Sequence, residues 1–171
     1  MSVEQVDNYK YLGVIIDNKL TWNEHAVKLL KKINTRMYCL RKIRSFNVSK
    51  QLLQMFYTST VCSVLTFGAV CWGGNVTKQD KDRFEKLIRK AGGVVGKKQD
   101  TFSDMYDRKL RDRLKTILTD ETHPLHVDID SRRSDISDRF RAPRVRTTRY
   151  SNSFVPAAIR LHNLKLKPHS Q

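Results

Sequence analysis

Acidic residues are the scarce component of this 171-residue chain: 17 Asp and Glu stand against 33 Lys and Arg, a formal charge of +16. A surplus of that size opposes compaction by self-repulsion and favours polyanionic partners. Nucleic acid is the first partner class expected, and an anionic membrane surface the second. Glycine and proline are also few, at seven and four, which excludes collagen-like and low-complexity chains. The three cysteines, Cys39, Cys62 and Cys71, form no Cys-x-x-Cys pair, so a disulfide framework or zinc ribbon is not expected. They sit in apolar stretches, where reduced, buried thiols are the expectation. The opening Met-Ser-Val-Glu-Gln-Val-Asp has no basic and no apolar signal region, so a nuclear or cytoplasmic location is expected.

What is present begins with an aromatic and β-branched run, residues 9–16, that reads as one strand closed by Asp17-Asn18. A lone strand leaves its backbone groups unsatisfied, so this one is expected to seek a partner, if need be on another chain. Thr21-Trp22-Asn23-Glu24 matches a capping box. The helix it opens carries Ala26, Leu29, Leu30, Ile33, Met37 and Leu40 at helical spacing. From Trp22 to Lys50 there are eight Lys and Arg and one acid, Glu24. Surface helices mix signs for pairing along a face. This one does not, and its cations are either merely solvated or matched by an external polyanion.

Ser49 is placed to cap a second helix, and no Asp, Glu, Lys or Arg occurs from residue 51 to 76. Residues 52–72 are long enough to cross a bilayer. However, Gln54, Thr58, Ser59, Thr60, Ser63 and Thr66 dilute the run, so a central core helix ended by Gly73-Gly74 is expected and membrane association is not. Thr77 opens a third helix with Phe84, Leu87, Ile88, Ala91 and Val95 on one stripe. Thr101 and Asp104 pair before a fourth, with Tyr106, Leu110, Leu114, Ile117 and Leu118 on another. Both carry acids that pair internally with their bases. Residues 128–150 are Arg-rich with little apolar periodicity and read as a tail that is disordered or orders on binding. Residues 153–161 read as a short docking helix with Pro156 in its first turn.

Chemistry is thin. No local signature marks a two-metal carboxylate site, and His123 and His126 lack a third ligand. Residues 92–98, Gly-Gly-Val-Val-Gly-Lys-Lys, suggest a phosphate loop only weakly, without the Gly-Lys-Ser/Thr ending. No base and acid are placed around a Ser or Cys nucleophile. The sequons at Asn47 and Asn75 coincide with helix starts, where capping explains their Ser and Thr. No cofactor, metal or small-molecule substrate is expected.

Four stretches resemble, in order, the region just after the palm of reverse transcriptases from non-LTR (LINE-type) retrotransposons. They are Tyr9-Lys10-Tyr11-Leu12-Gly13-Val14-Ile15-Ile16-Asp17 with Lys19-Leu20-Thr21-Trp22; residues 40–48; Val70-Cys71-Trp72-Gly73-Gly74; and residues 149–161. The resemblance implies a primer-grip strand with Tyr9, Tyr11, Leu12 and Gly13 at the grip, and a helical thumb behind it. Lys28, Lys31, Lys32 and Arg36 would face the template–primer duplex, joined along the same helix by Arg41, Lys42 and Arg44. The family's catalytic palm, with its Asp-Asp pair, is absent, so the resemblance implies a non-catalytic remnant. Residues 22–45 are also similar to the N-terminal segment assigned to the AlkB homologue that modifies transfer RNA. Neither the iron-binding His-x-Asp of its dioxygenase nor the sheet of its methyltransferase is present, so that resemblance implies no enzyme activity.

The expectation is therefore a mainly α fold: a strand within 1–20, a bundle of about four helices over 21–122, and a basic, partly disordered tail over 123–171. Its expected work is non-catalytic binding of RNA, DNA or an RNA/DNA hybrid through phosphates, not base edges.

Overall fold

A computed structural model describes residues 5–166. The chain is mainly helical, with a two-stranded antiparallel sheet at its N-terminal end. It divides into two compact units, one of residues 1–68 with 76–102, the other of residues 69–75 with 103–171.

In the first unit, the run expected as one strand is a hairpin. β1 (Asn8–Tyr11) pairs with β2 (Val14–Asp17) in the register Asn8↔Asp17 to Tyr11↔Val14. Leu12 and Gly13 both have positive φ, 45° and 89°, and make the two-residue turn whose twist suits a hairpin. The partner sought on another chain thus lies inside the run itself. Strand alternation puts Lys10 and its pair Ile15 on one face, and Tyr9 and Tyr11 on the other.

The expected capping box does not form. α1 (Asn23–Ser45) begins at Trp22 in a left-handed conformation, with no side-chain cap. Asp17 does the anchoring instead. Its Oδ1 accepts from the amides of Lys19 (3.1 Å) and Thr21 (2.9 Å), and its Oδ2 from Trp22 (2.8 Å). Asp17 thereby takes the Thr21 amide that the Glu24 carboxylate would accept in a capping box. His25, Ala26, Leu29, Ile33, Met37 and Leu40 are the buried stripe of α1. α1 packs on β2, on α2 (Lys50–Phe56), on the π-helical turn Tyr57–Cys62, on α3 (Ser63–Leu65) and on α5 (Lys78–Val95). The hub of this unit is α1, where the sequence had suggested the uncharged run.

That run is not one helix. α2, capped by Ser49, widens into the π turn and ends with α3; Thr66 leaves helical geometry and Gly68 turns the chain at φ 59°. α4 (Ala69–Trp72) belongs to the other unit. Hydroxyls bond back to the backbone where the helix loosens. Thr60 bonds back to the Phe56 carbonyl (2.6 Å), Ser63 to Ser59, and Thr66 to Cys62 (3.0 Å). Such back-bonding bends and loosens helices. The buried positions Leu53, Tyr57, Val61 and Leu65 recur every four residues. In a 3.6-residue helix that stripe drifts sideways, and the wider π turn takes the drift back. Among the described residues no helix is long and apolar enough to cross a membrane, which removes the reading of 52–72 as a span.

α5 is capped by Thr77, whose hydroxyl accepts from the Asp80 amide at 3.2 Å, and it buries Phe84, Ile88, Ala91 and Val95 as expected. It runs through Gly92-Gly93 and stops at Gly96, φ 78°. The suggested phosphate loop is therefore a helix C-terminus, which presents carbonyls and repels anions.

In the second unit, α6 (Phe102–Thr119), α7 (His126–Asp130) and α9 (Phe154–Lys165) build a separate core, while α8 (Thr148–Ser151) buries none of its residues. Leu110, Leu114 and Ile117 of α6 pack with Ile129, Phe140, Ala157, Ala158 and Ile159. The stretch read as tail thus supplies core residues up to 159. Its anchors, Ile129 and Phe140, are single apolar residues without periodicity. Gly74 is obligatory here: an added Cβ would collide with the Asn152 carbonyl. Residues 167–171, the end of the expected tail, lie outside the described residues. The thiols are less buried than expected, with Cys39 and Cys71 exposed and Cys62 partly so.

Candidate nucleic-acid interface

A 23-residue helix that spends one stripe on the core presents the rest to solvent. On α1 that remainder carries Lys28, Lys31, Lys32, Arg36, Arg41, Lys42 and Arg44. Among the described residues none of them is in an ion pair, whereas Arg83 holds Asp80 at 3.1 Å on α5.

Two of the seven are engaged by the fold. Arg36 is half-buried and its guanidinium donates to the Thr60 carbonyl in the π turn. Arg44 donates to the carbonyls of Gly93 (3.1 Å) and Val94 at the end of α5, where a cation also offsets the helix dipole. Lys42 lies 6.0 Å from the Tyr38 ring centroid, a weak attraction at an exposed site. Lys28, Lys31, Lys32, Arg41 and Lys42 are exposed along the helix.

The structure gathers part of this set into a groove of about 460 Å³ between the hairpin, α1 and α3. Lys10, Lys28 and Lys32 edge it, Gly13, Ile15, Leu29, Val64 and Phe67 supply apolar wall, and His25 and Ser63 add polar groups. No carboxylate lines it. Of the four grip residues suggested by resemblance, only Gly13 lines the groove. Tyr9, Tyr11 and Leu12 are exposed outside it, and strand parity puts the two tyrosines on the opposite face.

Lys10, His25, Ser63 and Phe67 escaped the sequence reading. Lys10 was findable: once Leu12-Gly13 is a turn, parity puts it on the face of buried Ile15. His25 Nδ1 accepts the Ile15 amide at 3.3 Å, which ties β2 to α1. Burial, and secondarily Lys32, push its pKa down to about 4, so the ring is neutral near pH 7. Desolvation of Asp17 is outweighed by the amides of Thr21 and Trp22, and its carboxyl lies below its usual value.

The groove does not present a nucleophile–base pair. The Ser63 hydroxyl donates to the Ser59 carbonyl and His25 Nδ1 is taken by Ile15. No group of three His, Cys, Asp or Glu among the described residues is arranged to hold a metal ion. His126 Nδ1 lies 2.9 Å from the Ile117 carbonyl and His123 Nε2 3.1 Å from Arg113, so the two rings have separate partners. The adjacent acids Asp120 and Glu121 are exposed after α6, where Asp120 accepts from the Thr122 amide and hydroxyl.

With this geometry in hand, one family match is informative. Residues 22–63 match the family described as alkylated DNA repair protein alkB homolog 8, N-terminal. The matched stretch is α1, α2 and the π turn, 42 of the 171 residues, all within the first unit. Neither a curated protein nor a solved structure matches the chain.

Proposed function

We propose that the first unit is a non-catalytic nucleic-acid-binding module in which α1 follows a phosphate backbone. The observation that carries this is the row of solvent-facing cations on α1 that no carboxylate of the described residues neutralises. The acid-free groove beside Lys28 and Lys32 extends the same positive face. Such a face contacts phosphate without reading bases, so it suits RNA, DNA or a hybrid duplex.

The finer reading is a thumb-like fragment of a LINE-type reverse transcriptase. It rests on the ordered motifs in residues 9–22, 40–48, 70–74 and 149–161. On that reading the chain lacks the catalytic palm and does not extend a primer. A second reading is favoured by the match over 22–63: an accessory segment of an RNA-modifying AlkB-type enzyme. The two differ in preferred ligand, a hybrid duplex for the thumb and transfer RNA for the accessory segment.

The test is binding of the full chain to RNA, DNA and hybrid duplexes and to transfer RNA across a salt series. Five phosphate contacts give a log–log slope of about −4 to −5. A flat response rejects the function, and primer extension by the purified chain rejects the palm-less reading.

A further inference from the structure

The second unit carries a positive surface that owes nothing to α1. After Asp138 the sequence contains no acid at all, while Arg139, Arg141, Arg144, Arg146, Arg149, Arg160, Lys165 and Lys167 follow. Some of these are engaged: Arg139 donates to the Leu166 carbonyl, Arg141 lies 3.9 Å from Asp135, and Arg160 bonds Ser151. Arg144, Arg146 and Arg149 are exposed, and their guanidiniums have no partner among the described residues.

The backbone holding these three is fixed at both ends. Before them, Phe140 is buried and clasped by Asn163, which accepts its amide at 3.0 Å and donates to its carbonyl at 2.8 Å; the Arg141 amide donates to the Arg132 carbonyl at 2.7 Å. After Arg146, Thr147 caps α8 by accepting the Tyr150 amide at 3.2 Å, and within α8 the Arg149 carbonyl itself accepts from Asn75 at 3.2 Å. Between the anchors, residues 142–146 form neither turn nor helix, and Pro143 restricts the chain further. The amides of Arg144, Val145 and Arg146 donate to no main-chain carbonyl among the described residues. Guanidiniums and free amides on a chain tethered at both ends lose little entropy on meeting phosphates. Tyr150, 45% exposed, ends the strip with an aromatic face.

We infer that Arg144, Arg146, Arg149 and Tyr150 form a second binding surface, one that takes single-stranded nucleic acid. Arginines hold the phosphates and the tyrosine stacks an unpaired base. A duplex keeps its base faces covered, so Tyr150 distinguishes the two ligands. This surface stands independently of α1.

The test uses the full chain with a single-stranded oligonucleotide, as RNA and as DNA, a blunt duplex, and vesicles containing anionic lipid. Three variants are compared: Arg144→Gln/Arg146→Gln/Arg149→Gln, the same positions changed to Lys, and Tyr150→Ala. The Gln triple is expected to lose at least about tenfold in single-strand affinity and about 2 from the salt slope, three contacts at roughly 0.7 each. The Lys triple keeps most of the slope, which separates charge loss from misfolding. Tyr150→Ala weakens single-strand binding and leaves duplex binding unchanged. Lys28→Gln/Lys31→Gln/Lys32→Gln serves as the control for the first unit, and its failure to affect duplex binding would count against the α1 reading alone. Unchanged single-strand affinity in the Gln triple overturns the inference, as does a loss confined to vesicle binding.

Discussion

Along α1, seven cations share a helix with one acid, Glu24; along residues 126–141, four arginines share the chain with four aspartates. In the second stretch the fold uses the charges locally: Arg132 bonds Asp128 at 3.0 Å, Arg133 bonds Asp130 at 3.2 Å, and Arg141 approaches Asp135. On α1 no such partner exists among the described residues, and the fold spends only Arg36 and Arg44, both on carbonyls. The presence of cations alone does not separate these regions, since both are rich in them. The local balance of signs does, because an ion pair three or four residues away forms at little entropic cost.

The largest effect should come from erasing that difference. Lys28→Gln, Lys31→Gln, Lys32→Gln, Arg41→Gln and Lys42→Gln together should weaken duplex binding roughly a thousandfold, about 4 kcal/mol. Arg133→Gln should leave duplex affinity within about threefold and lower stability by no more than about 1 kcal/mol, as loss of an exposed pair does. Competition binding and thermal unfolding measure both.

Next is the pH dependence of the first unit. The lowered pKa of His25 means that the unfolded chain takes up a proton at pH values where the folded chain does not. Its contribution is therefore complete above about pH 6.5 and is lost as pH falls towards 4, a change on the order of 3 kcal/mol. His25→Asn, which keeps an acceptor for the Ile15 amide, should flatten denaturation midpoints over that window.

Asp17→Ala should cost about 1–2 kcal/mol near pH 7, since three amides lose one ionised acceptor. The native carboxyl is lowered, so that stabilisation persists above its ordinary value of 3.8 and disappears as pH drops below it. Urea titrations at pH 7 and pH 3 should show the wild-type and variant midpoints converging at the lower pH. The smallest effect is at the hairpin turn. Leu12 holds φ 45° with its side chain exposed, so Leu12→Asn should raise stability by about 0.5 kcal/mol and leave duplex binding unchanged.

Helix periodicity made the α1, α5 and α6 stripes legible, and the hydroxyl caps at Ser49 and Thr77 were readable from position. The strand over 9–16 was misread because Leu12 is a poor turn residue, and only Gly13 marks the reversal. The capping box failed as the Asp17 carboxylate of the preceding hairpin took the Thr21 amide and Trp22 turned left-handed, facts that a four-residue motif does not contain. The uncharged run hid its break, since buried positions four residues apart read as an ordinary helix stripe and hydropathy does not register the π turn that keeps them aligned. In the second unit, Ile129 and Phe140 stand alone in polar sequence, so periodicity had nothing to register. At the candidate interface the cations of α1 were legible as a set. Arg36 and Arg44 were not separable from the rest, because their carbonyl partners lie 24 and 49 residues away.

The most direct measurement is the salt dependence of duplex binding for the wild-type chain beside the five-site α1 variant. The cations on α1 should account for a slope of about −4.5 in the wild type, nearly all of it absent from the variant. Equal slopes in the two proteins would show that the positive face of α1 meets no phosphate.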